Sequence, residues 1–562
     1  METYDAIVVG SGISGGWAAK ELCERGLKTL LLERGRNIVH NADYPTALMH
    51  PWEFRHRGMM PREYMDANPI TSKAWLYDEG SAHFFIRDDD HPYVQEKPFD
   101  WIRGYQVGGR SLTWGRASQR WSDHDFKAPA LYGYGIGWPI GYSDIAPWYA
   151  HVERFAGVCG ARDGVESAPD GEYLPPFPLN CVEAHMQHVL AEHFPDRKMI
   201  QGRWAHLSEP GEIHLQQGRG KCQCRNLCVR GCPYGAYFSS VSSTLPWAMK
   251  TGNLHIRPFS VVHSVVYDEK SGRASGVKVI DANTREEMEF GAGIIFVNAS
   301  ALNTCLILLN SRSNRFPNGL GNDKGLLGKY ICFHNYRPST WAVLDGFENI
   351  YVEGRLPSGP IIPNFKNFGK RDADFYGGYL TFAGAIRPPQ KSVPDNEPQL
   401  GVEFKHRLSE PGDWRIYMYM QGETIPKAAN RVYLSPDKLD PWGIPQLVAD
   451  VSYDDNDERM IADFHRETTV MMEKIGCRDI QHIDNRQNPG LDIHEMGGVR
   501  MGTDPSDSLL NRFNQLHACP NVFVTDGACM TSTGCNSPTI LYMALSARAA
   551  NYAADQFQKR YL

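Results

Sequence analysis

Four thiols crowd one short stretch of this 562-residue chain. Cys222, Cys224, Cys228 and Cys232 fall within eleven residues and end in Cys232-Pro233. Thiolates this close repel one another unless a metal neutralises them. The closing C-x3-C-P resembles the end of a ferredoxin-type run, although the earlier spacing differs. Arg219, Lys221, Arg225 and Arg230 flank the thiols and would offset the charge of an iron–sulfur cluster. Zinc is the weaker reading, because paired C-x2-C units are absent. Disulfides inside so short a loop would be strained. Of the remaining nine cysteines, Cys23, Cys159, Cys305, Cys332, Cys477 and Cys529 read as small buried apolar residues.

A second candidate site opens the chain. Tyr4-Asp5-Ala6-Ile7-Val8-Val9 reads as a buried strand, and Gly10-Ser11-Gly12-Ile13-Ser14-Gly15 follows at once. A helix pattern comes next, then a strand, Thr29–Leu32, ending in Glu33. Alone, G-x-G-x-x-G is weak. Between a strand and a helix, with an acid 18 residues after Gly15, it is a dinucleotide site. Gly10 allows the tight turn, Gly12 lets a pyrophosphate approach, and Gly15 lets helix and strand pack. The helix N-terminus offers free N–H groups to phosphate, and Glu33 would accept from the adenosine ribose.

The elements positioning these residues lie in separate stretches. Residues 253–311 read as β-rich and end in a helix, and 485–562 carry a His-Gly run, a strand and a final helix. Residues 331–484 show period-two patterns such as Trp414-Arg415-Ile416-Tyr417-Met418-Tyr419-Met420, the mark of antiparallel strands. The expected fold class is α/β: a Rossmann-like nucleotide-binding domain, identified as FAD-binding by the family resemblance given below, assembled from separate segments, plus an antiparallel-sheet (α+β) substrate domain. The first takes 1–40, 101–330 and 485–562, including the cysteine loop 219–233. The second takes 331–484, helped by 41–100, and roofs the site. Net charge is −7, which argues against nucleic acid or anionic membrane as a partner. No apolar run approaches the roughly 18 residues of a membrane span. The N-terminus shows no export signal.

Several motifs occur in an order that resembles the glucose–methanol–choline (GMC) oxidoreductases along nearly the whole chain. They are Gln106-Val107-Gly108-Gly109-Arg110-Ser111-Leu112-Thr113-Trp114, Trp138-Pro139-Ile140 with Ala146-Pro147-Trp148-Tyr149, and Ile294–Ala301. Gly325–Tyr330 with His334, His494–Gly502, Asn521–Gly527 and Asn536-Ser537-Pro538-Thr539 complete the set. The cysteine cluster makes the chain most similar to the large subunits of bacterial glucoside 3-dehydrogenase, FAD-glucose dehydrogenase and gluconate-type dehydrogenases.

This resemblance implies bound FAD. It places Asp526 and Gly527 at the flavin ribityl and phosphate region, and Gly108, Gly109 and Ser111 at the isoalloxazine edge. Ser14, Arg34, Val262, Ala299, Pro538 and Thr539 are also expected against the cofactor. Thr113 stands where some relatives attach FAD through a His, so non-covalent FAD is expected. The motif makes His494 the base that takes the hydroxyl proton, a task suited to imidazole near neutral pH. Relatives hold the same hydroxyl with an Asn or His just before Pro-Thr. Here Ser537 occupies that place and Asn536 precedes it; Asn536 is slightly favoured, because an amide both donates and accepts. Arg500 is expected to be an ion-pair partner rather than an active-site cation, and His517 a surface-turn residue.

The resemblance also implies a three-iron (3Fe–4S) cluster held by Cys222, Cys228 and Cys232, with Cys224 spare or a fourth ligand. Such a cluster gives electrons an exit other than oxygen, towards a partner such as a cytochrome c. The expected function is an FAD-dependent dehydrogenase oxidising a secondary alcohol of a sugar or glycoside, such as C3. Two alternatives are an oxidase with structural cysteines and a flavin-binding subunit with an impaired catalytic pair. The expected location is the periplasm, by co-export with a small signal-bearing subunit, with the cytoplasm as the alternative.

Overall fold

The computed structural model describes residues 2–350, 359–391 and 399–562. Its central sheet has parallel strands in the order Cys519–Phe523, Glu287–Val297, Glu2–Val9, Thr29–Leu32 and Leu254–Arg257. Gln515–Leu516 adds antiparallel at one edge, and the hairpin Ser260–Asp268/Arg273–Asp281 pairs onto Glu287–Val297. Strands sandwiched on both faces must be apolar throughout. Thr29–Leu32 is buried at every position, and Ala6, Ile7 and Val8 are fully buried.

Helix Ile13–Glu24 crosses this sheet and lies against the final helix Thr539–Gln558. Arg25 pairs with Asp555, and Asn551 Nδ2 donates to Glu21 Oε2 at 2.8 Å, so the two ends of the chain meet. Gly10 turns the chain into the first helix at φ +95°. A Cβ at Gly15 would stand 1.8 Å from the Gly10 carbonyl oxygen.

A seven-stranded antiparallel sheet lies opposite, in the order Arg478–Asp484, Pro338–Leu344, Trp414–Glu423, Tyr379–Ile386, Pro360–Ile362 and Ile200–Gln201, with His334–Asn335 beside Trp414–Glu423. Its period-two alternation sorts side chains between faces. Ile416, Met418 and Met420 pack under helix Asp455–Ile475 through Phe464, Met471 and Met472. Tyr417 and Tyr419 face the other way. Asp454 caps that helix by accepting from Asn456 N–H, and Gly476 ends it at φ +90°. The expectation that 41–100 helps build this sheet is not met. Its sole strand, Val94–Gln95, joins a separate sheet with Arg431–Leu439 and Pro445–Asp450. The rest is short helices and turns. No described helix is long and apolar enough to cross a membrane.

Because backbone rather than a yielding side chain faces Gly15, Gly15→Ala should cost about 1–3 kcal/mol of stability. Urea unfolding of the apoprotein measures this, and an unchanged midpoint would contradict the packing.

Candidate active site

A cavity of about 1050 Å³ lies between the carboxyl ends of the parallel strands and the inward face of the antiparallel sheet. Ligand sites in open α/β sheets occupy this place. Gly10, Gly12 and Ser14 line one end with Glu33 and Arg34. Ser111, Thr113, Val262, Ala299, Asp526, Gly527 and Thr539 line its length.

The nucleotide end is a knot of three segments. Ser11 N–H and O–H both donate to the Glu33 carboxylate, and Gly108 N–H donates back to Ser11 Oγ at 2.9 Å. Gly35 N–H completes the Glu33 set at 3.0 Å. Gly108 therefore braces the loop from behind rather than lining the cavity, as does Gly15. A Cβ on Gly12 would meet nothing within 4 Å, which leaves its backbone open to an approaching ligand. The helix above Gly12 has no side-chain cap, so its first N–H groups are free for phosphate. Arg34 lies over Tyr105 and Trp442, at 4.8 and 4.7 Å. Asp526 accepts from Ala528 N–H at 2.9 Å and Thr304 O–H at 2.6 Å; burial pushes its carboxyl up to about 6. The open glycine and the uncapped helix fit a dinucleotide pyrophosphate.

The opposite end is aromatic. Phe382 and Tyr419 stack with centroids 4.9 Å apart, Tyr336 lies 6.4 Å from Phe382, and Trp204 6.1 Å from it. His494 stands at the edge of this wall, 5.9 Å from Tyr336. A backbone bridge between Cys332 and Met496 holds His494 beside His334. The Asp492 carboxylate also accepts the N–H of both histidines, at 3.0 and 3.2 Å. Arg110 donates to Glu495 at 2.9 Å and to Ser300 Oγ at 2.7 Å. Burial lowers the pKa of His494 well below that of free imidazole, and moves Asp492 up to about 7.

The two candidates before Pro538 separate clearly. Asn536, the favoured one, does not reach the cavity. Its Nδ2 donates to the carbonyls of Arg120 (2.9 Å) and Ser167 (3.1 Å) in a buried position behind the wall. Ser537 lines the cavity instead and donates to Gln421 Oε1 at 2.9 Å, an oxygen that also accepts from Tyr336 O–H. Gln421 is fixed in turn by donating to the Cys535 carbonyl at 2.6 Å. Pro538 lies behind Ser537 as the N-cap of the final helix. Among the described residues Arg500 has no ion-pair partner: its guanidinium lies 3.6 Å over the Tyr330 ring and donates to the Asp507 carbonyl. His517 occupies a half-buried hairpin turn. The roles of His334, Asp492, Tyr336 and Gln421 were not legible in the sequence, since each depends on pairing across a wide separation.

Of the scattered cysteines named above, five are buried and Cys477 is half-buried. Cys222, Cys224, Cys228 and Cys232 share one loop, and Cys224 N–H donates to Cys222 Sγ at 3.4 Å. The loop borders the cavity through Asn226, Cys228 and Val229. Arg225 and Arg230 reach away, to the carbonyls of Ala47 and Met49. Four thiols suit an iron–sulfur cluster in kind and number. Among the described residues, however, no group of three or more His, Cys, Asp or Glu stands ready to hold a metal.

An open glycine turn and an imidazole share one cavity, an arrangement that suits an enzyme with a nucleotide cofactor. Family models described as GMC oxidoreductase match residues 4–335 and 426–546. The chain belongs to the GMC oxidoreductase family and is an FAD-dependent oxidoreductase acting on CH–OH donors. It is 27% identical to the fructose dehydrogenase large subunit of Gluconobacter japonicus, over 97% of each chain. It is 26% identical to 2-methyl-1,2-propanediol dehydrogenase of Mycolicibacterium austroafricanum, over 98% of this chain and 95% of that one. The fold matches that of a formate oxidase variant from Aspergillus oryzae with a TM-score of 0.60, at 14% identity over 99% of each chain.

Two outcomes follow from the buried polar groups. Asn536→Ala strands two buried carbonyls and should cost about 1–3 kcal/mol in urea unfolding; no loss would contradict the placement. Glu423 is the strand partner of His334, and burial, then nearby Asp125, raises its carboxyl to about 8. The folded state thus holds a proton that the unfolded chain releases above its ordinary value near 4.5. Stability from this group is present in acid and lost as pH rises from there to about 8. Glu423→Gln should flatten that fall, read as melting temperature at pH 5 and pH 8 against the parent; an equal fall in both would refute it.

Proposed function

We propose that this chain is a dehydrogenase oxidising a secondary alcohol of a sugar or glycoside, C3 being the expected carbon. The observation that carries the reading is the aromatic wall of Tyr336, Phe382 and Tyr419 beside His494. Flat rings pack well on the C–H face of a pyranose or furanose. The similarity to a fructose dehydrogenase subunit supports it. His494 takes the hydroxyl proton. Ser537, whose own proton is committed to Gln421, offers its oxygen lone pairs to a substrate hydroxyl. Arg110 and Glu495 neutralise each other and hold the loops on either side of the base. FAD, bound non-covalently past Thr113, supplies the hydride acceptor.

The finer parts of the reading concern where electrons go. An iron–sulfur cluster on Cys222, Cys228 and Cys232, with or without Cys224, supplies one-electron transfer away from the flavin. Its support is the donor set and the place of the loop beside the cavity. A cytochrome-like acceptor and a small signal-bearing partner, with export to the periplasm, complete this reading. The second reading is an oxidase that passes electrons to oxygen, with the four cysteines structural.

Anaerobic mixing of the purified holoprotein with D-fructose, D-glucose, lactose or gluconate should bleach the flavin absorbance. His494→Ala should slow the bleaching by roughly 10²–10⁴-fold. Bleaching only by a non-sugar alcohol overturns the sugar reading. Iron in the purified protein with little peroxide in air supports the dehydrogenase; rapid peroxide without iron supports the oxidase.

A further inference from the structure

His334 is fully buried, 160 residues before the proposed base, and nothing above gives it a task. Its Nδ1 stands 2.9 Å from Nδ1 of His494, and its Nε2 stands 2.9 Å from the carbonyl oxygen of Gly534. The two rings meet edge to face, at 78°. These contacts leave little freedom for the protons.

A carbonyl oxygen only accepts, so His334 must carry its proton on Nε2. A neutral imidazole with a proton on Nε2 has a bare lone pair on Nδ1. The 2.9 Å contact then requires a proton on Nδ1 of His494. That assignment leaves Nε2 of His494 as an acceptor. The opposite arrangement needs His334 to carry both protons, and hence a charge, in a pocket from which solvent is excluded. Burial already lowers the pKa of His334 to about 4. The remaining candidate neighbours do not change the assignment, because Asp492 accepts backbone N–H groups and Arg110 is committed to Glu495 and Ser300.

We propose that His334 is a positioning residue that selects the tautomer of His494, holding its Nδ1 protonated and its Nε2 free to receive the substrate hydroxyl proton. The inference rests on the reading of His494 as the base. In the step served, the substrate O–H bond breaks and an Nε2–H bond forms on His494. Nδ1–H stays on its hydrogen bond to His334. The chain of contacts ends on a backbone carbonyl, so no second proton can pass through His334. The proton accepted on Nε2 therefore leaves again from the cavity side. The same logic operates in hydrolases, where a buried acceptor fixes the tautomer of a catalytic histidine.

Nitrogen-15 NMR of histidine-labelled holoprotein tests this directly, with the His494 signals identified by their loss in His494→Gln. In the unmodified protein His494 should show a protonated Nδ1 and an unprotonated Nε2. His334→Gln, whose amide can both accept from His494 and donate to Gly534, should keep that pattern. His334→Phe, which can do neither, should shift His494 towards the Nε2-protonated form. With the sugar that bleaches the flavin, the His334→Phe rate should fall by roughly 10²–10⁴-fold with KM little changed, and His334→Gln should restore most of it. A wild-type His494 protonated on Nε2, or a tautomer unmoved in His334→Phe, overturns the proposal. Should no sugar bleach the flavin while the NMR pattern holds, the sugar reading falls and this one stands.

Discussion

The cavity depends on backbone touching backbone. At Gly15 a single added carbon would stand 1.8 Å from the Gly10 carbonyl, and at Gly10 it would stand 2.3 Å from the Asn298 carbonyl. These contacts bring the first strand, the first helix and the strand ending at Val297 to one point. Ser11 then joins that point to Glu33 on one side and Gly108 on the other. Everything further along the cavity is placed relative to this corner. A side chain inserted there would move the floor under the cofactor rather than one contact of it.

Much of this arrangement is legible in the residues because it is local. The glycine turn, the strand before it and the acid after it follow one another within 33 residues. Alternation in Trp414–Met420 shows as period two because one face meets Phe464 and Met472 and the other meets the cavity. Sequence logic failed where a contact joins distant segments. Asn536 is chemically the better partner for a hydroxyl, yet the turn sends it to the carbonyls of Arg120 and Ser167. Nothing near Asn536 in the chain announces those acceptors. Arg500 likewise lies over a half-buried aromatic ring, and Tyr330 is 170 residues away. Segment 41–100 is poor in periodic pattern, and its turns are held by tertiary contacts.

The polar groups around His494 show a division of labour. Residues that meet the cavity, His494 and Ser537, are each held by a buried partner that does not do chemistry. Gln421 fixes Ser537 and Tyr336 together and is fixed itself by the Cys535 carbonyl. Asp492 sets the spacing of two backbone segments through one carboxylate. Preorganisation of this kind removes the rearrangement that a loosely held base would need at each turnover.

The place of the first strand has a consequence for biosynthesis. Glu2–Val9 leaves the ribosome long before Glu287–Val297, one of its two neighbours in the sheet. At about 5–20 residues per second, that edge waits roughly a quarter of a minute to a minute for its mate. Throughout that interval Ala6, Ile7 and Val8 present an apolar, unpaired edge of the sort that invites aggregation. The helix behind it waits longer still, for Thr539–Gln558. FAD can therefore find its complete pocket only after Thr539–Gln558, whose Thr539 and Tyr542 line the cavity, has emerged.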